Sequence, residues 1–390
     1  MDAQELFDIV KRDAVTICQE DMLKEKLLSG KKLKIKFGAD PSRPDLHLGH
    51  SVVLRKLRLF QQLGHEIIFV IGDFTGMIGD PTGASKTRAQ LTFEQTRENG
   101  RSYFEQVSKI LDPQKAVVAY NSEWLGTLSF AEVLGLASKY TLARVLERDD
   151  FARRYAENRP IGLHELFYPL MQGYDSVALE ADVEVGGTDQ TFNLLVGRAL
   201  QKDYGQTPQE VVTFPLLPGL DGTEKMSKSL GNTIGISEAP ETMFEKCMKV
   251  PDHLLPDYFR LTTDLAQREF EGLIAGDIRA AHFAYAREIV RLYCGEEAVA
   301  PAERRYREVA SGAPPENIEA IAYPEKSAPI VSLVRAAGFA ASNGEARRLV
   351  EGGGIKIDGA TVRDAAFVVA GRGEVILQRG KNRFARVTLG

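Results

Sequence analysis

Over the first 235 residues, short apolar runs alternate with stretches whose apolar residues recur at helical spacing. KLKIKFGAD sets Leu33, Ile35 and Phe37 alternately with lysines and ends in glycine, the pattern of a strand. VVLRKLRLFQQLG then keeps helical periodicity as far as Gly64. EIIFVIGDFTG is apolar without a break and predicts a strand covered on both faces. AVVAYNSEW, ADVEVGGTDQ and EVVTFPLL supply three more strands, and EQTRENGRSYFEQVSKIL is a helix ahead of the first of them. Five apolar strands alternating with helices predict an α/β, doubly wound parallel sheet.

Ligands of such sheets bind beyond the carboxyl ends of the strands. A polar or glycine-rich loop follows each strand here: GADPSRPDLHLGH, GDFTGMIGDPTG, NSEW, GGTDQ and PGLDGTEKMSKSLGN. Loops without a function would scatter over both edges; these five gather on one. Extra helical sequence predicts an insertion at about 122–167 within a first domain, 1–236. A helical domain is expected over 237–324, then the linker-like YPEKSAP, and a third unit over 326–390 with two helices followed by short strands.

Charge separates the last unit from the rest. Residues 326–390 hold 11 Lys+Arg and 5 Asp+Glu, so the other 325 residues carry a net charge of −11 out of a total of −5. A basic tail on an acidic body suits a polyanionic partner. No apolar run reaches the roughly 18 residues of a membrane span, and the amphipathic start MDAQELFDIVKRD is not a secretory signal. Three widely spaced cysteines fit reduced thiols in the cytoplasm. No Cys/His cluster has metal spacing, so no resident metal is expected.

In PDLHLGHSVVLRKL, two histidines lie at the start of a helix. A helix start carries partial positive charge and unpaired N–H groups, which favour phosphate, though histidines there can also serve only as caps. KMSKS places Lys225 and Lys228 in a glycine-rich loop, where mobile ammonium groups can follow a polyphosphate.

HLGH with KMSKS resembles the signature pair of class I aminoacyl-tRNA synthetases. GDFTGMIGDPTG, YPLMQGYD, GGTDQ and SNGEARRLVEGGGIKIDG extend the resemblance to bacterial tyrosyl-tRNA synthetases with a C-terminal S4-like RNA-binding module, along nearly the whole chain. The resemblance implies a Rossmann-like catalytic domain, an α-helical domain and a small α+β S4-like domain. It implies that tyrosine is activated with ATP, accompanied by Mg2+, and then transferred to the terminal adenosine of tRNA(Tyr). The partners it implies are tRNA(Tyr), tyrosine, ATP and a second copy of the chain, with no membrane or DNA partner expected.

By the same resemblance, His47, His50, Lys225, Lys228 and Arg88 act on the phosphates. Gly38, Asp40, Ser42, Gly49, Gly187, Asp189 and Gln190 complete the ATP site. Tyrosine falls to Asp80, Thr75, Asn121, Tyr168, Gln172, Asp175 and Gln190. Arg347, Arg348, Lys356, Lys381, Arg383 and Arg386 face tRNA, and Arg144, Arg148, Arg153 and Arg154 of the insertion provide dimer and acceptor-stem contacts. Two positions depart from the family pattern. Lys36 stands where many members carry a tyrosine that shares the phenol contact, and Ala84 replaces a lysine, with Lys86 nearby. Competing readings are a tryptophanyl enzyme, a small adenylyltransferase and a non-catalytic RNA-binding relative. Gln172 with Asp175, the basic tail and the four intact signature residues weigh against them.

Overall fold

The computed structural model describes residues 3–41, 45–81, 92–310, 318, 320–370, 373–380 and 383–390. The chain divides into two compact units, residues 1–295 and 296–390.

The first unit is built on strands β1 (Thr16–Ile17), β2 (Lys34–Ala39), β3 (Glu66–Ile71), β4 (Ala116–Tyr120), β5 (Val183–Gly187) and β6 (Glu210–Phe214), in the sheet order β1-β6-β5-β2-β3-β4. The five expected strands are all present and parallel. The sequence pattern missed β1, a two-residue strand antiparallel to β6 at the edge. β3 and β6 are buried almost throughout because helices cover both faces, as their unbroken apolar runs require.

The helix Leu48–Gln62 buries Leu48, Val52, Leu57 and Phe60, and Gly64 beyond it has a φ of 89°, which suits a residue without Cβ. The helix Phe93–Val107 begins with a reciprocal cap: Thr92 Oγ1 accepts from Gln95 N at 3.2 Å, and Gln95 Oε1 accepts from Thr92 N at 2.9 Å. Between β4 and β5 lie the short helices Ser122–Leu125, Phe130–Ala137, Leu142–Val145 and Asp149–Ala156, then the long helix Leu163–Leu179. The helices Pro240–Cys247, Leu255–Thr262, Gln267–Gly276 and Ile278–Cys294 also belong to this unit, and Tyr258 Oη donates to the Pro218 carbonyl at 2.6 Å. Among the described residues, no helix is long and apolar enough to cross a membrane.

The second unit contains the helix Val299–Ala310 and strands β7 (Ala320–Tyr323), β8 (Ser327–Pro329), β9 (Ile355–Ile357), β10 (Ala360–Val362), β11 (Val368–Ala370), β12 (Glu374–Arg379) and β13 (Arg383–Leu389). They form a five-stranded sheet, β10-β9-β12-β13-β7, and the pair β11-β8. Helices Ile330–Ala336 and Asn343–Glu351 close the core through Leu333, Val334, Ala346 and Val350.

Close helix packing fixes the platform beneath the strand ends. A methyl group on Gly173 of the Leu163–Leu179 helix would lie 2.9 Å from Leu200 Cδ1 and 3.1 Å from the Gly197 backbone nitrogen of the neighbouring helix. Gly173→Ala should therefore destabilise the unit by about 1–3 kcal/mol through overpacking, despite a helix-propensity gain of up to about 1 kcal/mol. Urea unfolding checks this; a stabilised variant would refute the close approach.

Candidate active site

The strand order reverses between β2 and β5, and a cavity opens beyond their carboxyl ends, where the doubly wound topology directs a ligand. Gly38 and Asp40 enter it from the end of β2; His47, Gly49 and His50 from the following helix start; Thr75 and Asp80 from the loop after β3; and Asn121 from the end of β4. Tyr168, Gln172 and Asp175 face it from one side of the long helix, Gly187, Asp189 and Gln190 from beyond β5, and Lys225 and Lys228 from the loop after β6. The structure thus gathers in one cavity the expected nucleotide and amino-acid residues. The exceptions, Ser42 and Arg88, lie outside the described residues, as do Ala84, Lys86 and Lys381.

At one end of the cavity the two imidazoles pack with centroids 3.9 Å apart. His50 Nδ1 accepts the His47 backbone N–H at 3.3 Å, which leaves the proton of a neutral ring on Nε2. His47 is buried, and its Nδ1 has no hydrogen-bond partner among the described residues. Gly49 makes room for that ring: a Cβ there would lie 3.0 Å from His47 Cε1 and Nδ1. Burial first, then neighbouring cationic groups, depress His47 to about 2 and His50 to about 4. Both rings are therefore neutral near pH 7 and can offer N–H groups but no charge.

The lysines supply the charge. Lys225 Nζ lies 2.8 Å from Asp189 Oδ2, and Lys228 Nζ pairs with Asp45. These partly exposed pairs are worth little in themselves, so an incoming polyanion can exchange partners with them at low cost. Met226 between them is buried, and its N–H donates to the Leu217 carbonyl at 2.8 Å, anchoring the loop.

Carboxylates dominate the deeper end. Asp40 accepts from Thr75 Oγ1 at 2.7 Å and from Tyr168 Oη at 2.8 Å. Asp175 accepts from Trp124 Nε1 at 2.8 Å and Asn121 Nδ2 at 3.4 Å. The Phe74 N–H donates to Asn121 Oδ1 at 3.0 Å, and this contact orients the amide. Burial pushes Asp40 and Asp175 up to about 7 each, against the smaller opposing effects of the Lys36 ammonium at Asp175 and of these donors. Burial, reinforced by Asp40, also raises the Tyr168 phenol. Asp80 accepts from Gln190 Nε2 at 2.9 Å and pairs with Arg148 Nη2 at 3.1 Å.

Two insertion arginines have other roles than those expected. Arg148 is buried, binding Asp80, Asp150 at 2.7 Å and Asn193 at 3.2 Å. Arg154 is buried against Glu165 at 2.6 Å. Neither can reach RNA from there; Arg144 and Arg153 remain exposed. Trp124 and Asp45 went unnoticed in the sequence, although NSEW stands directly after β4 and could have drawn attention to Trp124.

In the second unit, Arg347 and Arg348 are exposed side by side on the helix Asn343–Glu351, and Lys356 is half-buried on β9. Arg383 lies over the core residue Phe339, with its guanidinium 5.5 Å from the ring centre, and Arg386 lies 3.6 Å from Glu374 across the β12–β13 pair. Arg347 and Arg348 are thus the most open cationic pair among the described residues expected to face RNA.

Residues 28–310 match the family model described as tRNA synthetases class I (W and Y), and residues 329–376 match the S4 domain model. The chain is 51% identical to a tyrosine–tRNA ligase of Deinococcus radiodurans, covering 99% of this chain and 96% of that protein. It is 52% identical to the same enzyme of Moorella thermoacetica, covering 97% and 94%. Among solved structures, the tyrosyl-tRNA synthetase of Archaeoglobus fulgidus complexed with L-tyrosine is similar in fold, with a TM-score of 0.65 and 24% identity over 77% of this chain and 99% of that one.

The electrostatics lead to two expected outcomes. Neither His47 nor His50 should titrate between about pH 5.5 and pH 8 in the ligand-free protein; a histidine NMR titration that assigns either ring an ordinary midpoint would contradict the packing. Asp40, raised from 3.8 to about 7, contributes stability that is fully present below its unfolded value and is lost as pH rises through its folded value. Asp40→Asn should therefore gain on wild type by at most about 1.4 kcal/mol per pH unit between about pH 4 and pH 7, then level off. Urea unfolding across that range checks it, and a pH-independent difference would refute it.

Proposed function

The chain belongs to the class I tRNA synthetases of the tryptophan and tyrosine type, and from that premise we propose that its cavity activates tyrosine with ATP and passes the tyrosyl group to tRNA(Tyr). One observation carries the reading: a single cavity is lined both by the His47–His50 and Lys225–Lys228 pairs and by the Tyr168–Gln172–Asp175 face.

Asp80, Tyr168 and Gln172 receive the tyrosine ammonium, with Gln190 and Arg148 holding Asp80 in place. Asp175 accepts the phenol O–H. Thr75 and Asn121 act through the carboxylates they hold, Asp40 and Asp175. Phenylalanine would leave Asp175 without its hydroxyl partner, the established basis on which tyrosyl-tRNA synthetases reject it.

ATP enters as its magnesium complex, the metal arriving on the phosphates as part of the substrate. Asp189 takes the ribose hydroxyls and releases Lys225. Lys228 likewise leaves Asp45 for the phosphates. A tyrosine carboxylate oxygen attacks the α-phosphorus, the bond to the β-phosphate oxygen breaks, and pyrophosphate leaves. The carboxylate needs no base, so the work lies in positioning and in countering charge on the phosphates. His50 donates from Nε2 to a phosphate oxygen, while the lysines follow the departing pyrophosphate. A ribose hydroxyl of the tRNA 3′-terminal adenosine then attacks the carbonyl and displaces AMP.

The S4-like unit offers Arg347 and Arg348 to RNA phosphates. A second copy of the chain covers the insertion, where Phe130, Leu142, Tyr155 and Leu163 are 78%, 59%, 69% and 78% exposed. The reading places the enzyme in the cytoplasm, where charged tRNA is used.

ATP–pyrophosphate exchange should depend on tyrosine and not on tryptophan. Lys228→Ala should slow it by about a hundredfold or more, with tyrosine affinity held within about twofold. Equal losses in tyrosine binding and exchange would contradict the role given to Lys228, and tryptophan-dependent exchange would contradict the substrate.

A further inference from the structure

Lys36 is a lysine with no access to solvent, set in the middle of the sheet beside the site. It pairs in register with Ile68 on β3 and with Glu184 on β5. Its ammonium donates to the Gln172 carbonyl at 3.0 Å and to Ser176 Oγ at 2.8 Å, and lies 2.9 Å from the Glu184 carboxylate as an ion pair. All three partners lie on the protein side of the ammonium, away from solvent. The cavity wall includes its neighbours Phe37 and Gly38 but not Lys36. Fully enclosed and turned toward the long helix, the Lys36 ammonium is placed to act on the site through that helix and not by touching substrate.

The acceptors point to a different task. Gln172 and Ser176 bracket Asp175 on the long helix, and Gln172 itself lines the cavity. One ammonium thus grips the helix just before and just after the carboxylate that faces the substrate. Glu184 is in turn held by Ser176 Oγ at 3.1 Å and by Gln209, so the pair is closed off on both sides. Removing one member of a buried pair is costly because the other charge is left without a partner.

We propose that Lys36 is a positioning residue for phenol recognition, fixing the turn that carries Gln172 and Asp175 and placing a positive charge behind the carboxylate that accepts the tyrosine hydroxyl. The inference rests on the tyrosine reading of the cavity. Ionised Asp175 accepts a hydrogen bond from a phenol and has nothing comparable to offer a phenyl ring, so its charge state is part of the selectivity. The groups acting on it are Lys36 from β2, Glu184 from β5, Asp40 at the end of β2, and the donors Trp124 and Asn121 after β4. Burial opposes ionisation most; Lys36 is the largest influence favouring it, and Glu184 opposes it less strongly than Lys36 favours it. Removing both members of the pair therefore still leaves Asp175 harder to ionise.

The test compares wild type with Lys36→Met and with the charge-neutral Lys36→Met/Glu184→Gln, which avoids an orphaned buried carboxylate if the single variant fails to fold. ATP–pyrophosphate exchange is measured with tyrosine and with phenylalanine between about pH 6 and pH 9. The double variant should raise the tyrosine KM about fivefold at pH 7 and closer to tenfold at pH 6, the effect of a one-unit rise at Asp175 under full proton competition, and recover as pH rises. Its preference for tyrosine over phenylalanine should fall by a similar factor, with the ATP KM unchanged. A folded double variant with the wild-type tyrosine preference and pH profile would overturn the proposal, as would equal rises in both KM values. Wild type serves as its own control: failure of wild type to exchange with tyrosine would reject the reading of the cavity itself, whereas failure of the variants to differ rejects only the role of Lys36.

Discussion

The site is organised around carboxyl groups taken out of water. Asp175 is buried and Asp40 half-buried in the cavity wall, and the hydrogen bonds they accept come from neutral donors, Thr75, Tyr168, Trp124 and Asn121, with the Lys36 charge acting on Asp175 from behind. Neutral donors do not repay the desolvation of a carboxylate in full, so both groups keep an unusual hold on their protons. In the proposed reading, the tyrosine phenol O–H reaches Asp175, while the ammonium held by Asp80, Tyr168 and Gln172 brings positive charge close to Asp40, the acceptor of Tyr168. On that proposal, selectivity follows from an electrostatic deficit built into the fold.

The phosphate end has the complementary arrangement. Its cations, Lys225 and Lys228, rest on Asp189 and Asp45 at the rim, where solvent makes the pairs easy to exchange. Its histidines are kept neutral by burial and by those same cations. In the proposed mechanism, neutral imidazoles offer hydrogen bonds without adding positive charge that would hold pyrophosphate too firmly. The loops that carry these groups meet because the sheet changes direction between β2 and β5.

Much of this could be read from the chain. Unbroken apolar runs such as EIIFVIG mark strands buried on both faces, and strand ends in a doubly wound sheet converge, so the residues after them meet in one cavity as expected. Periodicity could not show β1, which is two residues long and defined only by its pairing with β6. Nor could it show Arg148 and Arg154. An arginine on a short amphipathic helix is expected in solvent, and only the tertiary fold brings Asp80 and Glu165 to meet them. Lys36 was legible as an anomaly, since a lysine sat where a tyrosine was expected. Its role was not, because Glu184 and Ser176 lie about 140 to 150 residues away in sequence and reach it through strand pairing and helix docking.

If the cleft holds its carboxyl groups partly protonated until tyrosine arrives, binding must release protons. Calorimetry of L-tyrosine binding near neutral pH, in buffers of different ionisation enthalpy, measures that exchange directly. A net release of protons that fades above about pH 8.5, where both carboxyls are already ionised, is the result this account predicts. A binding enthalpy independent of buffer, or a net uptake of protons, would contradict it.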